Sequence, residues 1–471
     1  MKTIDALERL GVGYHFEQEI AKFMDVLSRK PVASDDSCAV ALQFRLLRQH
    51  HYDITCEVFK NFLDENGDFK DNLSSNIDAL LSLYEAAHLS KRNEDMLNSA
   101  IVFIVDRLSS LANGGHLHKP IQDKVLHALA APTHRRTRRL QAKLYISIYE
   151  DDNENNKDIL ELAKLDFHIL QQMHRDEVKS ISLWYKDLKP RSTLGPYIRE
   201  RPVECYYWAL SVFYEPQYSK ARMMFAKLLI LLSFFDDIFD SYGTLDEVRQ
   251  FNQAVQSWDQ EAARKIGKGY AYVMSHLSKT LEEFVAEDGA SPVGIDCLKE
   301  SVKSMPHLIH TSTGLVPLHM CDRNFVADGL KEASNCMLQE VVWREERQVP
   351  TVHDYLMQAA AISVLYVPVA VISFIGTDAK DEVFSWACSF PKIIEIAAIM
   401  CRLMDDIAGH ENETLRSYTR RFFEMSSTMV NLTDKEVIET YIEGLWSCVD
   451  HRELGCRYPR DASELWDVTA K

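Results

Sequence analysis

The chain has 471 residues, of which 46% are hydrophobic and 26% are charged, with 17 glycines and 14 prolines. This is the composition of a globular protein, and the length leaves room for two domains with cores of their own. The net charge of −17 argues against a nucleic-acid partner, because phosphate backbones are bound by clustered lysines and arginines.

Most of the chain carries apolar residues at helical spacing. Near the N-terminus Ile4, Leu7, Leu10 and Val12 predict one amphipathic helix. Further on, another is predicted by Ile77, Leu80, Leu81 and Tyr84. Strand-type alternation of valine, isoleucine and threonine is scarce, and no hairpin signal joins two strand-like runs. The sequence therefore predicts an all-α fold.

The best candidate for a domain boundary is the segment KPRSTLGP at residues 189–196, where two prolines and a glycine interrupt helix formation. We therefore predict an N-terminal helical domain over residues 1–190 and a C-terminal helical domain over residues 191–471.

The N-terminus and the cysteines bear on the cellular compartment. The first ten residues are charged and helix-like, without the apolar core of a signal peptide. The ten cysteines are scattered, with no CxxC pair, which favours free thiols in a reducing compartment over a disulfide framework. These features predict a cytoplasmic protein.

One uncharged run has the length of a membrane span. It covers residues 355–377, which are 23 consecutive residues without a charge. Because the run contains Gln358 and Pro368, we interpret it as a buried, proline-kinked core helix. We expect no membrane span.

Pairs of adjacent aspartates occur four times, at residues 35–36, 151–152, 236–237 and 405–406. The first two pairs lie in polar runs, which solvated loops explain. The last two interrupt strongly apolar helices, where carboxylates are costly unless a positive group compensates them. This contrast singles out the last two pairs as candidate cation sites.

The pair at 236–237 belongs to the motif DDIFD, which follows the apolar stretch 228–235. Asp236 and Asp240 stand at i and i+4, so an α-helix places both carboxylates on one face, about 5–6 Å apart. Such a pair suits hard divalent cations, which bind oxygen ligands. Asp237 points about 100° away and is better placed to support the metal ligands than to bind metal. An exposed acidic helix face is the alternative interpretation.

The second acidic motif runs from Asp405 to Glu413. Asp405, Gly409 and Glu413 fall at i, i+4 and i+8, which is again one stripe of a helix. Glycine offers no side-chain oxygen, so a water would complete the shell there, as magnesium tolerates. Taken alone this motif is weak. Facing the first motif across one cavity, it would complete a cage for several magnesium ions.

Three arginines and a tryptophan accompany the two motifs. Arg199 and Arg201 lie before the first motif, and Arg402 lies one turn before Asp405. Arginine presents a fork of donors that matches diphosphate oxygens, whereas surface arginines at a domain junction are the alternative. Trp208 offers an aromatic face that attracts cations, although helical aromatics more often belong to the core.

These residues lie in a sequence that resembles the plant terpene synthases, and most closely the cytosolic sesquiterpene synthases. The resemblance covers residues 4–300 and 329–411. Its landmarks are IDALERLGVGYHFEQEI at the start, ELAKLDF near 161, RERPVECYYWALSVFYEPQYSKAR from 199, FFDDIFDSYGTLDE from 234, WREERQVPTVHDYL from 343 and CRLMDDIAGHENE from 401.

The resemblance implies an N-terminal α-barrel-like domain followed by a class I terpenoid-synthase helical bundle, which holds the metal site. The implied metal ligands are Asp236, Asp240, Asp405, Gly409 and Glu413. The implied substrate-binding residues are Arg199, Arg201, Asp236, Asp240, Arg402 and Asp405. The implied catalytic residues are Asp236, Asp240 and Trp208.

The resemblance also implies a reaction and its participants. Magnesium would ionise farnesyl diphosphate, and the carbocation would cyclise to a sesquiterpene. Three Mg2+ ions per site are implied, with Mn2+ as an alternative. The expected partner is a small prenyl diphosphate, rather than nucleic acid or a membrane, and the protein is expected to be a monomer.

Two other interpretations stay open. A chain-elongating prenyltransferase also needs two acidic helix motifs, although it carries DDxxD twice and the second motif here has another pattern. A catalytically inactive homologue is the other interpretation. It is suggested because the N-terminal segment of the family is missing and the sequence after Glu413 no longer follows the family.

Overall fold

A computed structural model describes most of the first 286 residues of the chain and shorter stretches beyond them. The described residues are 1–30, 36–65, 67, 69–70, 73, 76–91, 93–115, 117–151, 155–196, 198–286, 329–351, 354–355, 381–389, 391–394 and 396–399. The predicted residues Arg402, Asp405, Gly409 and Glu413 lie outside them, as does the uncharged run 355–377 apart from Tyr355.

The described part of the first of two compact units ends at Gln172 and is built from helices. Its α-helices are α1 (Lys2–Arg9), α2 (Glu17–Ser28), α3 (Ser37–Gln49), α4 (Ile77–Ala87), α5 (Asp95–Asn113), α6 (Lys119–Ala130), α7 (Arg138–Glu150) and the first half of α8 (Lys157–Leu188). Among the described residues no strand forms, and an isolated antiparallel bridge joins Leu63 and Phe69. The prediction of an all-α fold is confirmed.

Two helices of this unit, α3 and α4, begin at a residue whose side chain caps the helix. The Asn76 side chain accepts a hydrogen bond from the Ala79 amide at 3.1 Å and begins α4, as expected of an N-cap asparagine. The predicted helix around Ile77 and Leu80 is therefore confirmed. The helix predicted from Ile4 to Val12 already ends at Arg9, although Leu10 and Val12 are both buried.

The core of the first unit lies between α3, α4 and α5. Phe44 and Phe59 meet edge to face at 5.0 Å, a favourable arrangement for aromatic rings. The buried Arg48 forms an ion pair with Glu94 and donates to the Ile54 carbonyl at 2.9 Å. The charge of Arg48 is therefore paired inside an otherwise apolar core, as a buried charge requires.

The second unit begins at Met173 within α8. Its other described helices are α9 (Pro190–Leu194), α10 (Pro202–Val212), α11 (Ser219–Asp237), a π-helical turn (Ile238–Tyr242), α12 (Leu245–Ser257), α13 (Gln260–Ile266), α14 (Lys268–Ala286), α15 (Gly329–Glu346) and α16 (Asp381–Cys388). Helix α11 packs against α10 and α14, and α12 packs against α13 and α15.

The chain is irregular where the sequence predicts a domain boundary. Helix α8 ends at Leu188, and Lys189 follows with a left-handed backbone. Gly195 then has a φ of +90°, a conformation that glycine adopts without steric cost. The boundary near residue 190 stays a prediction.

An aromatic cluster fixes the C-terminal end of α11. The ring of Phe235 lies 5.3 Å from that of Phe239 and 5.5 Å from that of Phe251. Phe251 in turn lies 5.0 Å from Tyr270. All four side chains are buried, so the residues next to them in sequence are held by a rigid, close-packed core.

None of the described helices combines the length and the apolar character that crossing a bilayer requires.

Candidate metal centre at the end of α11

The first acidic motif lies where α11 changes into a π-helical turn. Asp236 and Asp237 are the last residues of α11, and Asp240 lies in the turn. The Gly243 amide donates to the Ile238 carbonyl at 2.9 Å, which is the i→i+5 bond of a π-helix. The sequence predicts an α-helix through Asp240, and the structure differs there by this π turn.

Glycine is required at position 243 by close packing. A Cβ atom on Gly243 would stand 2.4 Å from Val248 Cγ1 and 2.9 Å from the Tyr270 hydroxyl. Thr244 follows and begins α12 with a capping box, in which its side chain and that of Glu247 bond to each other's backbone amides. The π turn is thus held between the end of one helix and a strongly capped start of the next.

The three carboxylates of the motif have different surroundings. The side chain of Asp236 is 37% exposed and that of Asp240 is 53% exposed, whereas that of Asp237 is 1% exposed. Asp236 and Asp240 can therefore present oxygen atoms to a cation from solvent. Asp237 is directed into the protein.

Arg199 joins all three aspartates. Its Nε donates to Asp237 Oδ1 at 2.5 Å, and its backbone amide donates to Asp237 Oδ2 at 2.9 Å. Its Nη2 donates to Asp236 Oδ2 at 2.7 Å and lies 3.9 Å from Asp240 Oδ2. Asp237 thus holds Arg199 in place, while one end of the guanidinium lies at the two exposed carboxylates.

The charged groups of this cluster shift one another's pKa values. Burial raises the pKa of Asp236 to about 6, and the neighbouring Asp240 carboxylate acts in the same direction. Burial lowers the pKa of Arg199, but the charges of Asp237 and Asp236 outweigh it and raise that pKa above its ordinary value. Two carboxylates that repel each other in this way are stabilised by a bound cation.

Arg344 of α15 is a further residue of the centre that the sequence did not single out. Its Nη1 donates to the main-chain carbonyl of Asp240 at 3.1 Å. A carbonyl at a helix end lacks an intrahelical partner, so Arg344 satisfies it from a neighbouring helix. The run WREER carries no signal for this contact, because charged residues near a helix end are ordinary.

Arg201 and Trp208 belong to the start and the middle of α10. Arg201 is the exposed N-cap residue of that helix, and no hydrogen bond or ion pair links it to Asp236 or Asp237 among the described residues. Trp208 is 49% exposed, so its ring is open to a ligand. Of the two predicted arginines in this segment, Arg199 therefore bonds to the aspartates, whereas Arg201 begins α10.

The described residues supply only part of a metal shell. No group of three or more His, Cys, Asp or Glu side chains among them could hold a metal ion. Asp236 and Asp240 are oxygen donors of the kind that magnesium prefers, and magnesium usually keeps several waters. The two exposed carboxylates fit a divalent cation that has further ligands. That Asp405 and Glu413 lie opposite Asp236 and Asp240 stays a prediction.

Two family models match the chain. The model described as "Terpene synthase, N-terminal domain" matches residues 1–129. The model described as "Terpene synthase family, metal binding domain" matches residues 186–313 and 319–443. The prediction that the sequence departs from the family directly after Glu413 is therefore wrong, because the match continues to residue 443.

The chain is also similar to curated synthases and to solved synthase structures. (−)-Germacrene D synthase of Vitis vinifera is 37% identical over 423 residues, which are 88% of this chain and 70% of that protein. Alpha-humulene synthase of Zingiber zerumbet is 37% identical over 420 residues, which are 89% and 71%. The crystal structure of isoprene synthase from grey poplar leaves (Populus x canescens), in complex with three Mg2+ ions and dimethylallyl-S-thiolodiphosphate, is 28% identical, with a TM-score of 0.74 over 99% of this chain and 86% of that one.

The fold and the acidic centre define an all-α enzyme of the class I terpenoid-synthase type that uses a divalent metal. The chain belongs to the terpene synthase family.

Proposed function

We propose that this terpene synthase is a sesquiterpene synthase, which ionises farnesyl diphosphate and cyclises the resulting carbocation. The observation that carries the proposal is the meeting of two exposed carboxylates, Asp236 and Asp240, with Arg199 at the end of α11. The substrate class is supported by relatives named germacrene D synthase and alpha-humulene synthase.

The two exposed aspartates would hold magnesium through their carboxylate oxygens. Bound there, together with ions at Asp405, Gly409 and Glu413, Mg2+ would neutralise the charge that builds up on the diphosphate leaving group. Three ions are part of the proposal, with Mn2+ as an alternative. The neighbour with three Mg2+ ions supports this number.

Arg199 would change partners when substrate binds. With cations bound at Asp236 and Asp240, these carboxylates would no longer need Arg199, and its Nη2 would be available for a diphosphate oxygen. Its Nε and backbone amide stay on the buried Asp237, so that the fork is already oriented when diphosphate arrives. Arg201 and Arg402 would add further donors to the same group.

The reaction then proceeds without a protein nucleophile. The allylic carbon–oxygen bond breaks, and its electron pair leaves with the diphosphate. The carbocation is then attacked by the other double bonds of the farnesyl group. The exposed ring of Trp208 would stabilise positive charge through its π-face. Loss of a proton, or capture of water, ends the sequence.

A cytoplasmic location and a monomeric state complete the proposal. The location is supported by the free thiols of Cys38, Cys56 and Cys205, which suit a reducing compartment.

The test is an incubation of purified protein with farnesyl diphosphate and Mg2+, followed by gas chromatography of the hydrocarbon extract. A C15 hydrocarbon or alcohol is expected. A longer prenyl diphosphate after addition of isopentenyl diphosphate would instead assign chain elongation, and no product from any prenyl diphosphate would assign an inactive homologue.

A matched pair of variants links the activity to the site. Asp236→Asn should lower product formation by more than about a hundredfold, since even residues that support metal ligands cost about 10–100-fold. Asp246→Asn removes an equal charge from an aspartate that is 87% exposed on α12 and should leave activity unchanged. Equal activity of the two variants would contradict the assignment of Asp236 as a metal ligand.

A further inference from the structure

A buried polar network lies at the N-terminal end of α11, at the opposite end of that helix from the aspartates. Its centre is Arg222, whose side chain is fully buried. Nε and Nη2 of Arg222 donate to the two carboxylate oxygens of Glu177, each at 2.8 Å. The Ser219 hydroxyl donates to the same carboxylate at 2.5 Å. Burial raises the pKa of Glu177, but the hydrogen bonds from Arg222, Ser219 and Tyr206 outweigh it and leave that pKa below its ordinary value.

The network also fixes the segment that follows α10. Nη1 of Arg222 donates to the carbonyls of Phe213 at 2.7 Å and of Glu215 at 2.9 Å. These residues come directly after the end of α10 at Val212. Because the same guanidinium binds Glu177 of α8, it holds the C-terminal end of α10 against both α8 and α11.

Tyr206 connects α10 itself to the network. Its hydroxyl donates to Glu177 Oε2 at 2.6 Å, and its side chain is 2% exposed. Trp208 stands two residues further on, which is about 200° around an α-helix. Because Tyr206 is bonded inside the protein, helix geometry places Trp208 on the opposite face of α10, where it is 49% exposed.

The other end of the α10–α11 pair is fixed by the metal centre. Arg199, just before α10, bonds to Asp237 at the end of α11 at 2.5 Å. The rise of α11 from Arg222 to Asp237 is about 22 Å. Helix α10 is thus attached at both ends, and it cannot slide along α11 or rotate without breaking buried hydrogen bonds.

Stability alone does not account for such a network. A buried ion pair is often no more stabilising than well-packed apolar residues of similar size, whereas its directional bonds specify one arrangement. We infer that Tyr206, held by Glu177 and Arg222, is a positioning residue that orients the Trp208 indole toward the cation formed in the reaction. This inference rests on the proposed function.

The test uses Tyr206→Phe, which removes the hydroxyl and keeps the ring. Tyr14→Phe is the matched control, because the Tyr14 hydroxyl donates to the Asp166 carboxylate in the first unit. The first readout is acrylamide quenching of Trp208 fluorescence, obtained as the difference between each protein and its Trp208→Phe counterpart. The second readout is the ratio of the two main products formed from farnesyl diphosphate with Mg2+.

We expect Tyr206→Phe to change the quenching constant of Trp208 and to shift the product ratio by roughly threefold or more, since small differences in barrier height change a product ratio exponentially. Tyr14→Phe should change neither, even if it lowers the unfolding temperature. A residue with a purely structural role would lower stability without moving either readout.

The outcomes separate this inference from the proposed function. Unchanged quenching of Trp208 in Tyr206→Phe overturns the inference, whether or not the protein forms product. Changed quenching with an unchanged product ratio also overturns it, because the indole would then not steer the cation. If the wild-type protein forms no product, the proposed function fails, and the quenching comparison alone decides whether Tyr206 positions Trp208.

Discussion

Replacing Asp237 with asparagine separates the two kinds of aspartate in one motif. Asp237 is 1% exposed and accepts two hydrogen bonds from Arg199. Asp240 is 53% exposed and lies in the π turn. We therefore expect Asp237→Asn to lower stability and kcat while leaving the magnesium requirement nearly unchanged. Asp240→Asn should instead raise the magnesium requirement and leave stability nearly unchanged.

The magnitude follows from the contacts of each side chain. Asparagine keeps one oxygen, so it can accept one of the two bonds from Arg199 and turns its amide N–H2 toward the other donor. A hydrogen bond to a charged group contributes about 1.5–3 kcal/mol. Arg199 is 38% exposed, so water offsets part of this, and the expected loss is about 2 kcal/mol.

Asp240→Asn changes an exposed side chain, for which the expected loss of stability is below about 0.5 kcal/mol. Its effect on metal binding should be larger, with the magnesium concentration for half-maximal activity raised about tenfold.

The assay combines urea unfolding with steady-state kinetics over a range of Mg2+ concentrations. Two results would contradict these roles of Asp237 and Asp240. One is an unchanged free energy of unfolding in Asp237→Asn. The other is a rise in its magnesium requirement as large as that of Asp240→Asn, which would make Asp237 a metal ligand.

Three further predictions concern packing, charge pairing and pH. A Cβ on Gly243 would stand 2.4 Å from Val248 Cγ1, so Gly243→Ala should cost about 1–3 kcal/mol in urea unfolding. Adding Val248→Ala should restore part of the loss, and full stability of Gly243→Ala would contradict the packing. Glu177→Leu leaves the buried Arg222 guanidinium without its carboxylate and should cost about 3–5 kcal/mol. Arg222→Leu in the same chain should recover part of this, whereas additive losses would argue against a coupled pair. Burial lowers the pKa of His88 to about 3, whereas an unfolded histidine titrates at about 6.5. Between these values the unfolded state binds more protons, so stability falls as the pH is lowered through this window. Between pH 7 and pH 5 the free energy of unfolding of the wild-type protein should fall by about 2 kcal/mol more than that of His88→Phe. Equal decreases in the two proteins would contradict the prediction.

The features that could be predicted from the sequence are local ones. The apolar spacing around Ile77 and Leu80 predicts a helix because it is set within one or two turns. The motif at Asp236 stands out because carboxylates are costly beside apolar residues such as Phe234 and Phe235. Both features depend on residues within one short segment, so no knowledge of the tertiary structure is needed.

The features that could not be predicted depend on distant residues. Arg199 and Asp237 are 38 positions apart, and Glu177 and Arg222 are 45 positions apart, so no local pattern indicates that they bond. The π turn depends on the close approach of Gly243 to α12, which the sequence of the motif does not encode.

The proposed reaction depends on Asp236 and Asp240 holding the metal ions that bind the diphosphate of the substrate. The most direct measurement is a crystal structure with Mg2+ and a thio analogue of farnesyl diphosphate. We expect magnesium about 2.0–2.1 Å from carboxylate oxygens of Asp236 and Asp240, and a further ion at Asp405 and Glu413. Arg199 should be bound to both the diphosphate and Asp237. A diphosphate bound elsewhere, with no metal at Asp236 or Asp240, would contradict the proposal.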